Sequence, residues 1–260
     1  IAFKLFYLNN LHLNNNIAED LYKQHLNIST GGTYKEFGNK NKSSFDIFKS
    51  DFIKILKSMN GGFDPNKSVI PISKNNEVAN GAHRVAAAIH LNKTVDIVKI
   101  DNADPIIQDY KFFRNNGASE IFMDLAALEF LKHSKNIFVA VIWPASKRKY
   151  DSIINNIPNI IYSKDIEFSS NGAVNLTALI YQNEPWLGSA ADGYPGAAMK
   201  VGECFPSYSG NVKFIFFQSN KTMVDLIKEN IRELVKIGKS AIHITDTDHE
   251  ALNLSQYILN

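Results

Sequence analysis

The sequence predicts an α/β chain in two parts, and two observations carry that prediction. Over the second half, continuously apolar, β-branched segments such as Ile137-Phe138-Val139-Ala140-Val141-Ile142 alternate with amphipathic helical stretches. In the first half, helical fragments precede one dense strand–turn–helix–strand pattern at 63–101. The rhythm changes near residue 115. The expected units are therefore 1–115, an α+β part with a helical N-terminal extension, and 116–260, an α/β part with a mostly parallel sheet.

The elements follow in order. Phe45, Ile47, Phe48, Phe52, Ile55 and Leu56 recur at three- and four-residue spacings, which makes one apolar helical face. Gly31 to Lys42 is polar and glycine-bearing, hence a loop, and the Asn14-Asn15-Asn16 run reads as compositional bias. Val69 to Ile72 reads as a short strand, kept to an edge or a strand start by Pro71. A turn at 74–77, a helix over 81–91 and a β-branched strand over 94–100 complete the pattern. Beyond it, helices are expected at 119–133, 147–156, 174–182, 222–237 and 249–259. Strands are expected at 137–142, 160–162, 212–217 and 241–245. Apolar continuity in the strands at 136–142, 212–217 and 241–245 predicts that they neighbour one another in a largely parallel sheet.

Composition narrows the classes. The 260 residues, 45% hydrophobic and 21% charged, suffice for two cored units. Twenty-eight basic against 26 acidic residues leave a charge of +2, which disfavours a nucleic-acid partner and still allows a local phosphate cleft. The single cysteine, Cys204, excludes an intrachain disulfide and a multi-cysteine zinc site, and it fits a reducing cytoplasm. No apolar run approaches the roughly 18–20 residues of a membrane span. The chain begins at Ile1 and stops in a helical pattern, so a longer parent polypeptide is expected.

The sharpest motif is Asn80-Gly81-Ala82-His83-Arg84, which opens a helix after an extended segment. The first N–H groups of a helix lack intrahelical acceptors and, with the dipole, attract anions. Arg84 adds a permanently charged planar fork, and His83 a donor or proton carrier. Either this turn holds phosphate, or Gly81 only shapes it while His83 and Arg84 satisfy backbone carbonyls.

A second candidate is His243-Ile244-Thr245-Asp246-Thr247-Asp248-His249-Glu250. In an open parallel sheet ligands gather at the carboxyl ends of strands, where Asp246 would stand. Asp246, Asp248 and Glu250 are hard oxygen ligands suited to Mg²⁺, and Asp246 is also a candidate proton acceptor. Alternatively, Thr247 or Asp248 caps the last helix with Glu250 in its first turn. The third candidate is the glycine- and proline-rich loop 181–200. Glu184, Trp186 and Tyr194 there suit a base or a sugar, and Lys200 suits a phosphate; otherwise the aromatics roof the sheet.

The run Val69-Ile70-Pro71-Ile72 … Glu77-Val78-Ala79-Asn80-Gly81-Ala82-His83-Arg84 … Lys93-Thr94-Val95 resembles the core of the ParB/sulfiredoxin superfamily over about 60–101. That resemblance implies a nucleotide-phosphate turn at Gly81, His83 and Arg84, with CTP or ATP as the nucleotide. No sulfiredoxin-type cysteine lies in the turn, and no basic helix-turn-helix follows it. Taken with Ile142-Trp143-Pro144, Asn183-Glu184-Pro185-Trp186-Leu187-Gly188 and Ser240-Ala241-Ile242-His243-Ile244-Thr245-Asp246-Thr247, the turn is also similar to sugar-modifying transferases of bacterial capsule clusters. This implies a cytoplasmic transferase that moves a phosphoryl-type or glycosyl group from CTP, ATP or a CDP- or UDP-linked donor to a sugar-like acceptor. A nucleotide-switched DNA-binding module and a non-catalytic scaffold are the other classes the sequence leaves open.

Overall fold

The computed structural model of the protein describes residues 1–13, 16–36, 39, 41–66, 68–102 and 107–260. Asn14 and Asn15 of the asparagine run, and parts of the 31–42 loop, lie outside the described residues. The chain forms two compact units, Ile1–Phe130 and Leu131–Asn260. The division falls in the last turn of a helix, Glu120–Lys132, rather than near residue 115. Helix and strand mix in both units, as the α/β prediction requires. Among the described residues, no helix is long and apolar enough to cross a membrane.

The first unit begins with α1 (Ala2–Asn9), α2 (Ile17–Ser29) and α3 (Phe45–Asn60). The Ser44 side chain caps α3 by accepting the Ile47 N–H. β1 (Ile70–Ile72), α4 (Ala82–His90) and β2 (Ile97–Lys99) follow, and β1 pairs with β2 in parallel, Ile70 opposite Ile97. A parallel pair needs a crossover, and α4 supplies it. Ala86, Ala87 and Ala88 are fully buried, and these small side chains let α1 and α3 lie close against α4. Tyr7, Tyr22, Phe45, Phe48 and Phe52 fill the space around them. α5 (Tyr110–Asn115) and α6 (Glu120–Lys132) end the unit.

The second unit contains β3 (Ile137–Ile142), α7 (Tyr150–Ile154), β4 (Ile160–Phe168), α8 (Ser170–Ile180), α9 (Pro195–Cys204), β5 (Gly210–Gln218), α10 (Lys221–Val235), β6 (Ile242–Ile244) and α11 (Asp248–Leu259). The strand order is β4-β5-β3-β6, and each neighbouring pair is antiparallel. This corrects the expected parallel sheet. Apolar continuity reports burial on both faces, not strand direction. β3 is buried at every position because Phe138, Ala140 and Ile142 face α7 and α10, while Val139 and Val141 alternate to the opposite face. Helix α9, in a stretch expected to be loop, starts on Pro195, a residue preorganised for the first helical position.

Candidate functional site

In the first unit the chain leaves β1 through a tight turn. The buried Ser73 hydroxyl accepts the N–H groups of Asn75 and Glu77 and donates to the Glu77 carboxylate at 2.9 Å. Ile72 and Val78 bridge antiparallel, and Gly81 then enters α4 with φ 87°, the left-handed conformation that glycine tolerates. No side chain caps α4. Arg84 folds back over this opening: a β-carbon on Gly81 would stand 2.8 Å from its Nη2. Its Nη1 donates to the Ser68 hydroxyl and to the Val69 carbonyl, at 3.4 Å for the latter. Both partners are neutral, and among the described residues no carboxylate pairs with Arg84. A fixed, uncompensated guanidinium therefore sits at an uncapped helix N-terminus.

His83 does not join Arg84 there. Its Nε2 lies 2.8 Å from the Tyr22 hydroxyl, and its ring meets Phe52 edge-on at 4.7 Å between centroids. Burial, reinforced by the charges of Lys4 and Lys42, holds the imidazole well below its ordinary pKa. His83 is thus a partly buried, neutral imidazole packed on Tyr22 and Phe52 and not hydrogen-bonded alongside Arg84, where the sequence expected a phosphate donor or proton carrier. Lys4 escaped the sequence reading altogether. It is buried in α1, 3.3 Å from Nε2 of His25, and burial with the nearby Lys42 charge lowers its pKa to about 8. No local pattern marks it, because its neighbours come from distant segments.

In the second unit the three candidate metal ligands part company. Asp246 is paired with Lys221 and, at 2.6 Å, with Lys228; although burial opposes ionisation, these lysines bring its pKa down to about 2. Asp248 accepts the N–H groups of Asn136 and Ile137, the latter at 2.8 Å. Thr247 and Glu250 form a reciprocal cap: the Glu250 N–H donates to the Thr247 hydroxyl, while the Glu250 carboxylate reaches back to the Asp246 N–H at 2.8 Å. Among the described residues no group of three or more His, Cys, Asp or Glu side chains is placed to hold a metal ion. These residues do not fit a protein-held Mg²⁺. The carboxyl-end rule also loses its basis at Asp246, since β6 runs antiparallel to β3.

The loop before α9 is shaped by close approaches. Pro185–Leu187 forms one 3₁₀ turn, and Gly196 lies so near it that a β-carbon would stand 2.1 Å from the Trp186 carbonyl oxygen. Glu184 accepts the Trp186 indole N–H at 3.1 Å, and the exposed indole leans on Tyr181 at 5.1 Å between centroids. Tyr181 in turn meets His243 edge-on at 5.3 Å. Glu184, Trp186 and His243 are thus linked through Tyr181. Tyr194 instead packs with Ala178, Leu187 and Ala197, and enters α9 at φ 52°. Lys200 is largely buried in a polar knot with Glu203 at 2.7 Å and the Ser240 hydroxyl at 2.9 Å. It ties α9 to the 238–240 turn, which corrects its expected phosphate role. Burial pushes the Cys204 thiol up to about 11, so it is no thiolate nucleophile at neutral pH. Tyr181, which links Trp186 to His243, is a residue that sequence reasoning did not single out.

No family model, curated protein or solved structure matches the chain.

Proposed function

We propose that the chain is a nucleotide-dependent transferase that moves a phosphoryl-type or glycosyl group onto a small hydroxylated, sugar-like acceptor. The observation that carries this reading is Arg84, a guanidinium without a carboxylate, folded over Gly81 at the uncapped start of α4. Phosphate oxygens there would accept from the first-turn N–H groups while Arg84 neutralises their charge. Charge neutralisation and positioning supply most of the catalysis in such transfers, so a fixed cation is the part most needed. The resemblance of this turn to nucleotide-binding ParB/sulfiredoxin cores supports the same reading.

The test is thermal denaturation of wild type and Arg84→Ala with ATP, CTP, GTP and CDP- or UDP-sugars, each with Mg²⁺. A nucleotide at a hundredfold its Kd should stabilise wild type by about 2.7 kcal/mol. Arg84→Ala should lose that stabilisation. Absence of any nucleotide effect, or an equal effect on Arg84→Ala, would remove the reading.

A further inference from the structure

Where β3 ends, the second unit gathers several connecting segments at one end of its sheet. The 3₁₀ turn Pro144–Lys149 follows β3 directly, and the 3₁₀ turn Gly238–Ser240 follows α10. The Ser146 hydroxyl donates to the Ala241 carbonyl at 2.8 Å, which joins the two turns. The segment before β5 closes on the first of them, since a β-carbon on Gly210 would stand 3.5 Å from the Pro144 ring. Helix α9 is held to the second by Lys200, 2.9 Å from the Ser240 hydroxyl. Tyr208 lies over α9, where a β-carbon on Gly202 would meet its ring at 3.7 Å.

Five basic side chains crown this end: Lys147, Arg148 and Lys149 in the first turn, Lys236 just before the second and Lys239 within it. All five are exposed, and among the described residues none has an ion-pair partner. Glu203 is already taken by Lys200, and Asp151 and Glu233 are the nearest other acids along the chain. A positive excess therefore stands here, in a chain whose net charge is only +2. Large apolar side chains share the same end: Met199 is 75% exposed, Tyr208 61% and Ile237 41%. Met199 precedes Gly202 by one turn of α9, which sets it beside Tyr208, and Ile237 stands between Lys236 and Lys239 in the chain.

We infer that this end of the second unit docks on the surface of an anionic lipid bilayer, its five cations against the headgroups and Met199, Tyr208 and Ile237 entering the interface. Basic residues near such a surface each add attraction, over a range set by the Debye length. Lysine and arginine stems lie along apolar surface while their charges stay at headgroup level, so cations and apolar side chains work together rather than compete. Tyrosine suits the same boundary, with an apolar ring and a polar tip, and methionine adapts its shape to lipid. The bond from Ser146 to Ala241 holds the two basic turns together, so the charges are presented as one group. A nucleic acid would offer the phosphates but no apolar phase for Met199 and Ile237. A second copy docked symmetrically would bring the same five cations face to face.

The docking end goes beyond the transferase reading and does not depend on the Arg84 turn, which belongs to the other unit. Co-sedimentation of the full chain with vesicles tests it. Vesicles of equimolar phosphatidylcholine and phosphatidylglycerol should bind about tenfold or more tightly than phosphatidylcholine alone, and about 1 M salt should remove most of that difference. Lys147→Ala, Arg148→Ala and Lys149→Ala together should weaken binding to the anionic vesicles about tenfold or more. Met199→Ser with Ile237→Ser should weaken it severalfold. Every substituted side chain is exposed, so melting temperatures should stay near wild type. No binding to the anionic vesicles, equal binding to the neutral ones, or unchanged affinity in either variant would each overturn the inference. So would tighter binding of a single-stranded oligonucleotide through Lys147, Arg148 and Lys149, or a vesicle-free dimer that Met199→Ser with Ile237→Ser dissolves.

Discussion

The Tyr22 hydroxyl and His83 Nε2, 2.8 Å apart, join α2 to the first turn of α4 inside a cage of aromatic rings that includes Phe48 and Phe52. A histidine from the most function-like motif of the sequence is thereby engaged by aromatic neighbours. His25 and His243 share its condition: burial holds all three imidazoles below 6.5.

The pH dependence of stability follows. In the unfolded chain these histidines take up protons near 6.5, whereas the folded chain resists until lower pH, for His243 until about 3. Their contribution is complete above 6.5 and is lost as pH falls through the folded values. Urea midpoints should drop between pH 8 and pH 5, with a smaller drop in His83→Phe. A flat profile over that interval would show that these rings are not held neutral.

Lys4 has the same sign at higher pH. Its folded pKa of about 8 lies below the unfolded 10.5, so the buried ammonium costs stability at pH 7 and the cost fades as pH rises toward 10.5. Lys4→Met should raise the denaturation midpoint at pH 7, by an amount on the order of 1 kcal/mol, and by less at pH 10. A loss of stability at pH 7 would mean that the His25 contact outweighs desolvation.

Gly81→Ala combines an unfavourable positive φ with a β-carbon 2.8 Å from both Arg84 Nη2 and Ile70 Cδ1. It should destabilise the protein by about 1–3 kcal/mol and displace the guanidinium, which reduces nucleotide stabilisation as well. Calorimetry with and without nucleotide separates the two effects; an unchanged melting temperature would contradict the close approach.

Asp246 is a half-exposed carboxylate between two ammonium groups, with a folded pKa of about 2 against an unfolded value near 3.8. Its contribution is present above 3.8 and is lost as pH falls through about 2. Screening keeps the ion pairs small, so Asp246→Asn should cost at most about 1 kcal/mol at pH 7. Turnover in a transferase assay should scarcely change, because so weak a base is a poor proton acceptor at neutral pH. A hundredfold loss of turnover would restore Asp246 to the chemistry.

Gly196→Ala would drive a β-carbon into the Trp186 carbonyl, 2.1 Å away, within backbone that has no flexible end to yield. We expect a loss of roughly 1–3 kcal/mol and a shift in Trp186 emission as the indole moves off Tyr181. Unaltered emission would indicate that the turn accommodates the methyl group.

These cases show where local sequence is informative. The turn into α4 was legible because glycine, a helix opening and a β-branched strand are nearest-neighbour signals, and α3, α10 and α11 were legible because their apolar periodicity is local. Strand direction was not, because Val139 and Phe216 would be equally apolar in either orientation. Nor was the fate of Asp248: it looks like an acid in a first helical turn, yet its oxygens accept amides from Asn136 and Ile137, far earlier in the chain. His83 and Lys200 were misjudged for the same reason, since Tyr22, Phe52 and Ser240 are tertiary partners. Arg232 is a further case: its i, i+4 charged surroundings suggest an ordinary wet face, yet its Nε is fully buried.

The strand order has a consequence for synthesis of the chain. β3 is central, but both of its neighbours come later: β5 begins at Gly210 and β6 at Ile242. When Ile142 leaves the ribosome, a fully apolar strand has neither ladder filled, and its first amides still await Asp248. Non-local pairings of this kind are slow to close. A nascent chain stalled before residue 242 would therefore leave the β6 side of β3 unpaired, an apolar edge open to holding chaperones.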